Sequence, residues 1–219
     1  MDTHILELMA VRHSVRKFTT QSIETTKREI LDDLVQDINR KSSLHCQILY
    51  DEPSCFDSAM ARYGKLSGVA NYIALVGVKS KHLHEDAGYY GEQLVLKAQE
   101  LGLNTCWVAL SHGKSKAIVE KGEKQVCLIA LGYGVTQGVP HTNRPLSDLS
   151  NCTETSPEWF KAGMKGVLLA PTAMNQQKFY FELAETGQVK ASAKAGFYAK
   201  LDLGIVKYHF EAVTGVKVL

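Results

Sequence analysis

The stretch Asn71-Tyr-Ile-Ala-Leu-Val-Gly-Val78 is a near-continuous apolar run of strand length, the pattern of a strand covered on both faces. Working outward, Gly88 to Leu101 carries Leu94, Val95, Ala98 and Leu101 at helical spacing and stops at Gly102, a residue suited to a left-handed cap. Asn104 to Leu110 and Gln125 to Leu131 read as further core strands, with a short helix expected over Ser115 to Glu120. Helices and strands therefore interleave. The expected class is α+β, a central mixed β-sheet flanked by helices.

Upstream, Thr26 and Glu29 have capping-box spacing and open a helix whose one face is Ile30, Leu31, Leu34, Val35 and Ile38. Cys46 to Tyr50 follows as a short strand. Downstream, Ser156 as a cap and Pro157 at the first helical position introduce a helix through Trp159, Phe160, Met164 and Val167. A strand over Lys178 to Leu183 and a final helix over about Asp202 to Thr214 come next, the latter halted by Gly215 before the apolar tail Val216 to Leu219. No Pro- or Ser-rich linker divides the chain. Gly91 and Gly102 are spaced as Gly204 and Gly215 are, which reads either as a faint duplication or as two helices that happen to share common glycine positions.

Lys and Arg number 25 against 23 Asp and Glu in 219 residues, a net charge of +2. With no block of like charge, neither a nucleic-acid partner nor a membrane partner is expected. No apolar run reaches the roughly 18 residues a membrane-spanning helix needs, and Asp2, His4 and Glu7 break any signal-peptide pattern, so a cytoplasmic location is expected. Cys46, Cys55, Cys106, Cys127 and Cys152 are odd in number and lack a CxxC pair, which suits reduced thiols. Asn151-Cys152-Thr153 fits a glycosylation acceptor by chance alone.

Three clusters could carry chemistry. Arg12-His13-Ser14-Val15-Arg16-Lys17-Phe18 sets two guanidiniums, a hydroxyl and an imidazole close together, which suits either a phosphate clamp or a solvated basic loop. In His141-Thr142-Asn143-Arg144-Pro145-Leu146, Arg144 is held extended by the following proline and offers another cation. Leu169-Ala170-Pro171-Thr172-Ala173-Met174-Asn175-Gln176-Gln177 combines small residues with uncharged donors and acceptors, in the manner of a flat-ligand contact or an ordinary helix-to-strand loop. Other patterns fail. Gly113-Lys114-Ser115 ends like a Walker A loop, but Val108 stands where its first glycine belongs, and Gly132-x-Gly134 with Gly138 is no dinucleotide fingerprint. His82, His84 and Glu85 have the spacing of solvated side chains, so no metal is expected, and Cys106 lies in an apolar run that makes a thiol inert.

Together these blocks resemble the FMN-dependent nitroreductase superfamily. Arg12 to Phe18 is similar to the family's opening Arg-Arg/His-Ser-x-Arg/Lys-x-Phe. Gly91 to Trp107 resembles its Gly-terminated helix and Trp-containing strand, and Leu131-Gly132-Tyr133 with Arg144-Pro145-Leu146 resembles its ending. Ala170 to Phe181 resembles its Ala-Pro-Ser-Ala-x-Asn-x-Gln-Pro-Trp-x-Phe. That last block stands out of order: it follows the Arg-Pro-Leu block, whereas the usual position holds Ser42 to Gln47 without the Pro and Asn. The resemblance is to the shorter, divergent branch with Thermotoga-type members.

The resemblance implies FMN as cofactor, NAD(P)H as electron donor, and a ping-pong reduction of nitroaromatics, quinones or similar small-molecule acceptors. It implies that Arg12, Ser14 and Arg144, with His13 nearby, grip the FMN phosphate, and that Arg16 meets the pyrimidine edge. Lys65 matches a second basic position, Ala109 and Leu110 match the stretch beside flavin N5, and Pro171, Thr172 and Asn175 line the ring or ribityl chain. No side chain is expected to act as catalytic acid or base. Because the family's flavin sites are shared by two subunits, the displaced block implies a fused pseudo-dimer, with residues 1–150 as one subunit, residues 151–219 as a truncated second, and a monomer favoured over a homodimer. BluB-like enzymes that fragment flavin share the fold, and a flavin-binding or redox-sensing module without turnover is a further alternative.

Overall fold

Asn71–Val78 is a strand over the whole predicted stretch, and every residue in it except Val78 is buried. The computed structural model describes residues 3–219; Asp2 lies outside them. In chain order the elements are α1 (Thr3–Val11), α2 (Thr25–Lys41), β1 (Gln47–Leu49), α3 (Ala59–Tyr63), β2 (Asn71–Val78), α4 (Leu83–Glu100), β3 (Asn104–Val108), β4 (Glu123–Gly132), α5 (Leu146–Leu149), α6 (Glu158–Leu168), β5 (Phe179–Leu183), β6 (Val189–Ala193) and α7 (Ala199–Thr214). They form two compact units. One holds Arg12–Leu83 and Gln93–Val139; the other holds the chain up to Val11, His84–Glu92 and Pro140–Leu219.

The first unit is built on a four-stranded sheet of order β1-β2-β4-β3 whose ladders are antiparallel. The apolar run of β2 is buried because it is an inner strand, flanked by β1 and β4. Parallel pairing enters through the Arg12–Phe18 segment, which bridges Ser14 to Thr105 and Lys17 to Ser67. α2 buries Leu31, Val35 and Ile38, the stripe expected of it, while Ile30 is exposed. Phe56 meets Tyr72 edge-on at 5.6 Å within the core.

The second unit packs α6 on α7 beside the β5–β6 hairpin. Phe181 stacks on Phe210 at 5.4 Å, and Phe160 lies 5.7 Å from the same ring. Within this unit α4 and α7 cross at two glycines. A side chain on Gly88 would strike the Leu201 carbonyl and the Ile205 N–H, and one on Gly204 would strike the Glu85 carbonyl and the Tyr89 N–H. Each glycine thus faces the residues three before and one after the other. Further along the same helices, Glu92 and His209 are fully buried as a pair at 3.0 Å. His209 Nδ1 lies 2.9 Å from the Gly166 carbonyl, which can only accept, so Nδ1 carries a proton and the Nε2–carboxylate contact holds a second one.

Several expectations change at element ends. Ser115–Glu120 is not a helix, because its N–H groups are claimed from outside: Lys116 donates to the Tyr72 hydroxyl, Ala117 to Ser115 Oγ, Ile118 to Gln47 Oε1 and Glu120 to Glu123 Oε2. The Thr26–Glu29 box does not form, since α2 begins at Thr25 with Glu24 as its cap residue. Ser156 accepts from Thr153 N instead of capping α6, which starts after Pro157. α4 starts at Leu83 with Glu85 and Asp86 in its first turn, so Gly88 is an interior residue placed there by the crossing. α7 likewise begins earlier, at Ala199. β6 was not anticipated: Lys190 and Ser192 alternate with small Ala191 and Ala193, and the hairpin turn is set by Gly187 at φ 82°. The crossing predicts that Gly204→Val lowers stability by about 3 kcal/mol or more in urea unfolding, because the obstacle is backbone and cannot rotate aside.

Candidate functional site

The Arg12–Phe18 segment lies in extended backbone because both its sides are hydrogen bonded. Val15 N donates to Thr105 O at 2.9 Å, Ser67 N to Arg16 O at 3.0 Å, and Val135 N to Lys17 O at 2.9 Å. Gly138 passes so close over this segment that a side chain there would lie 2.7 Å from His13 Cβ. Arg12 is only 3% exposed, whereas Arg16 is exposed. Both guanidiniums bear on one atom, the buried thiol of Cys106 in β3. Burial pushes that thiol up, and the charges of Arg16 and Arg12 and the Ser14 hydroxyl oppose the rise. The structure thus brings Arg12, Ser14 and Arg16 together around one point of β3.

Ala109 and Leu110 follow β3 directly, two residues past Trp107, and Leu110 is exposed. Lys65 is exposed and left-handed (φ 59°), two residues before the Ser67 whose N–H donates to Arg16 O. All of these residues belong to the first unit. The donor set fits an anionic ligand: two cations of forked geometry, a hydroxyl, and a thiol held neutral by burial.

Arg144, Pro171, Thr172 and Asn175 belong to the second unit, where they are drawn into one knot. Gln177, almost fully buried, accepts from Arg144 N at 2.7 Å and donates to Asn143 Oδ1 at 2.7 Å, while its own N–H donates to Thr172 Oγ1 at 3.2 Å. Asn175 Nδ2 donates to Thr142 O at 2.8 Å. The Arg144 guanidinium meets Asp148 at 3.3 Å, so its charge is already partly answered. Pro171 is half-buried at the mouth of this turn.

Reading the sequence passed over Gln177 and Asp202. Asp202 is 1% exposed in the first turn of α7, and its carboxylate accepts from Ala173 N at 2.9 Å and Gln176 Nε2 at 3.0 Å. Burial raises its pKa from 3.8 to about 6, against the pull of those two donors. The signal was an acid set between Leu201 and Leu203, ahead of the apolar run Leu203 to Val206.

A family model described as "Putative TM nitroreductase" matches residues 4–214, and the chain belongs to that family. A Thermotoga maritima structure solved as a putative nitroreductase superposes with a TM-score of 0.71 at 22% identity, covering 97% of this chain and 86% of that one. A putative nitroreductase from Desulfovibrio desulfuricans, solved in complex with FMN, gives 0.51 at 20% identity over 68% of this chain and 95% of its own. A putative NADH dehydrogenase/NAD(P)H nitroreductase from Bacteroides thetaiotaomicron gives 0.53 at 19% over 68% and 97%. No curated protein matches the sequence. The fold is the α+β nitroreductase-like fold, and the family is one of oxidoreductases. No helix among the described residues is long and apolar enough to cross a membrane.

Asp202 also sets a pH dependence. Its folded-state pKa lies above its unfolded value, so the folded state binds the extra proton, and stability from this group is greatest at low pH and falls as pH rises from about 4 to about 6. The loss amounts to about 3 kcal/mol. Urea unfolding of the unmodified chain and Asp202→Asn across this range should show a gap in stability that widens with pH in favour of the amide.

Proposed function

We propose that the chain is an FMN-dependent NAD(P)H oxidoreductase that reduces small flat acceptors such as nitroaromatics or quinones. The observation that carries this reading is the pairing of the Arg12–Phe18 segment along β3 through the Ser14–Thr105 bridge and the Val15 N–Thr105 O bond, with Ala109 and Leu110 directly after that strand. Arg12 and Ser14, with His13 adjacent, hold the phosphate through forked and hydroxyl hydrogen bonds. Arg16 places a positive charge where the reduced pyrimidine ring is negative, and Lys65 adds to the same field. Burial of Cys106 supports this arrangement, because a neutral thiol adds no competing anion beside the guanidiniums. The bound FMN supplies two-electron redox chemistry between NAD(P)H and the acceptor in ping-pong order, so the protein's share is orientation and electrostatics. Arg144, Pro171, Thr172 and Asn175 are given flavin-contacting roles on the strength of their motifs.

We also propose that the chain is internally duplicated. With α3 set aside as an insertion between β1 and β2, the order α2–β1–β2–α4 recurs as α6–β5–β6–α7, each copy a helix, an antiparallel pair and a second helix. Asp86 and Gly88 occupy the same turn of α4 that Asp202 and Gly204 occupy in α7, and the two glycines contact each other's helices reciprocally. The proposed register pairs Gly88 with Gly204, whereas the glycine spacing in the sequence pairs Gly91 with Gly204.

Two measurements test these readings. The purified chain should show flavin absorbance that NADH or NADPH bleaches anaerobically, and Arg16→Gln should weaken FMN binding about tenfold or more, as expected for loss of a charge-assisted bond; no binding at saturating FMN overturns the reading. Sedimentation should give a monomer carrying one FMN, and a chain that binds flavin only as a dimer overturns the fused arrangement.

A further inference from the structure

The segment Thr172–Gln177 has a costly backbone. Met174, Asn175 and Gln177 all lie at positive φ (52°, 53° and 48°), and none is glycine. Such residues are strained and persist only where their surroundings impose them. The segment also leaves Met174 80% exposed, so apolar burial of that side chain does not hold it in place. The Asp202 carboxylate takes one hydrogen bond from the segment's start, Ala173 N, and one from its far side, Gln176 Nε2. Gln176 in turn donates to the Phe197 carbonyl, next to Tyr198, itself left-handed (φ 56°) at the start of α7.

We propose that Asp202 is a positioning residue, whose buried ionised carboxylate holds Thr172–Gln177 with Met174, Asn175 and Gln177 in left-handed backbone and so presents Thr172 and Asn175 to the flavin. This rests on the flavin reading above. The internal bonds leave suitable groups for a ligand: the Thr172 oxygen accepts from Gln177 N, so its hydroxyl proton can be given away, and Asn175 spends its amide N–H on Thr142 O, so its Oδ1 can accept.

The tie is also a proton-sensitive one. Protonation near pH 6 turns one carboxylate oxygen into a donor, which faces the N–H of Ala173 or the amide of Gln176 and cannot accept from it. Titratable groups on the elements packed around Asp202 are His84 and Asp86 of α4, the Glu85–Lys207 pair at 2.7 Å, and Lys200 on α7 itself; Lys178 follows the segment. Among the described residues Asp202 has no ion-pair partner, so burial and the two donors set its behaviour.

The test is amide hydrogen exchange on the full chain, with FMN titration beside it. Asp202→Asn keeps the Ala173 bond but sets an amide NH2 against Gln176 Nε2, and removing the buried charge keeps the fold stable, so loss of protection would be local. At pH 7.5 the amides of Ala173 to Gln177 should exchange at least tenfold faster in Asp202→Asn, with an unchanged or raised unfolding midpoint. Gln176→Ala, which retains the carboxylate, should give an intermediate acceleration. In the unmodified chain FMN affinity should fall as pH drops through about 6, and Asp202→Asn should bind about tenfold more weakly at pH 7.5 with that pH dependence lost. Unchanged protection in Asp202→Asn overturns the positioning role, and faster exchange with unchanged FMN affinity overturns its link to the ligand. An unmodified chain that binds no FMN at all overturns the flavin reading instead, so the two failures are told apart.

Discussion

The contact between α4 and α7 at Gly88 and Gly204 is one of backbone against backbone, and little else in that unit could stand as it does without it. Two helices can come this close only where neither carries a Cβ. The approach lets Glu92 and His209 meet farther along the same pair, lets Glu85 reach Lys207 at 2.7 Å, and lets Tyr89 lie edge-on to Tyr208 at 5.3 Å. It also fixes the first turn of α7, from which Asp202 reaches the turn after α6. A packing constraint on two residues thereby places a buried acid under a segment of strained backbone.

The two sets of arginines illustrate how differently the same side chain can be used. Arg144 stands on the surface with Asp148 one helical turn away, an exposed pair of the kind that contributes little to stability. Arg12 is buried and, with Arg16, acts on the Cys106 thiol of β3.

Much of this was legible in the residues. The period of β2, the stripe Leu31, Val35 and Ile38, and the glycine stop of α7 follow from local rules, and local rules held there. What was illegible depended on partners far away in the chain. Ser115–Glu120 has helical composition but loses its N–H groups to Tyr72, Gln47 and Glu123. Gly88 reads as a helix start and is an interior contact, because its reason lies 116 residues away at Gly204. Among the candidate site residues, Arg12, Ser14 and Arg16 were visible as a dense motif. Asp202 was not, since a single polar residue gives no pattern until the structure shows what it holds, and Gln177 stood inside a quoted motif with no role of its own.

The β5–β6 hairpin has no open border. On one side Ser150 bridges to Phe181, and the Asn151 amide both donates to Leu183 O and accepts from Leu183 N. On the other, Leu219 donates to Val189 O and accepts from Ala191 N. A two-stranded ribbon left bare on both flanks would be a template for another chain. Here each flank is sealed by a neighbouring stretch of the same polypeptide, so this hairpin offers no register for a foreign strand to copy. The seal also employs both ends of the Asn151 amide, so a sugar attached to that nitrogen would have to prise the strand loose.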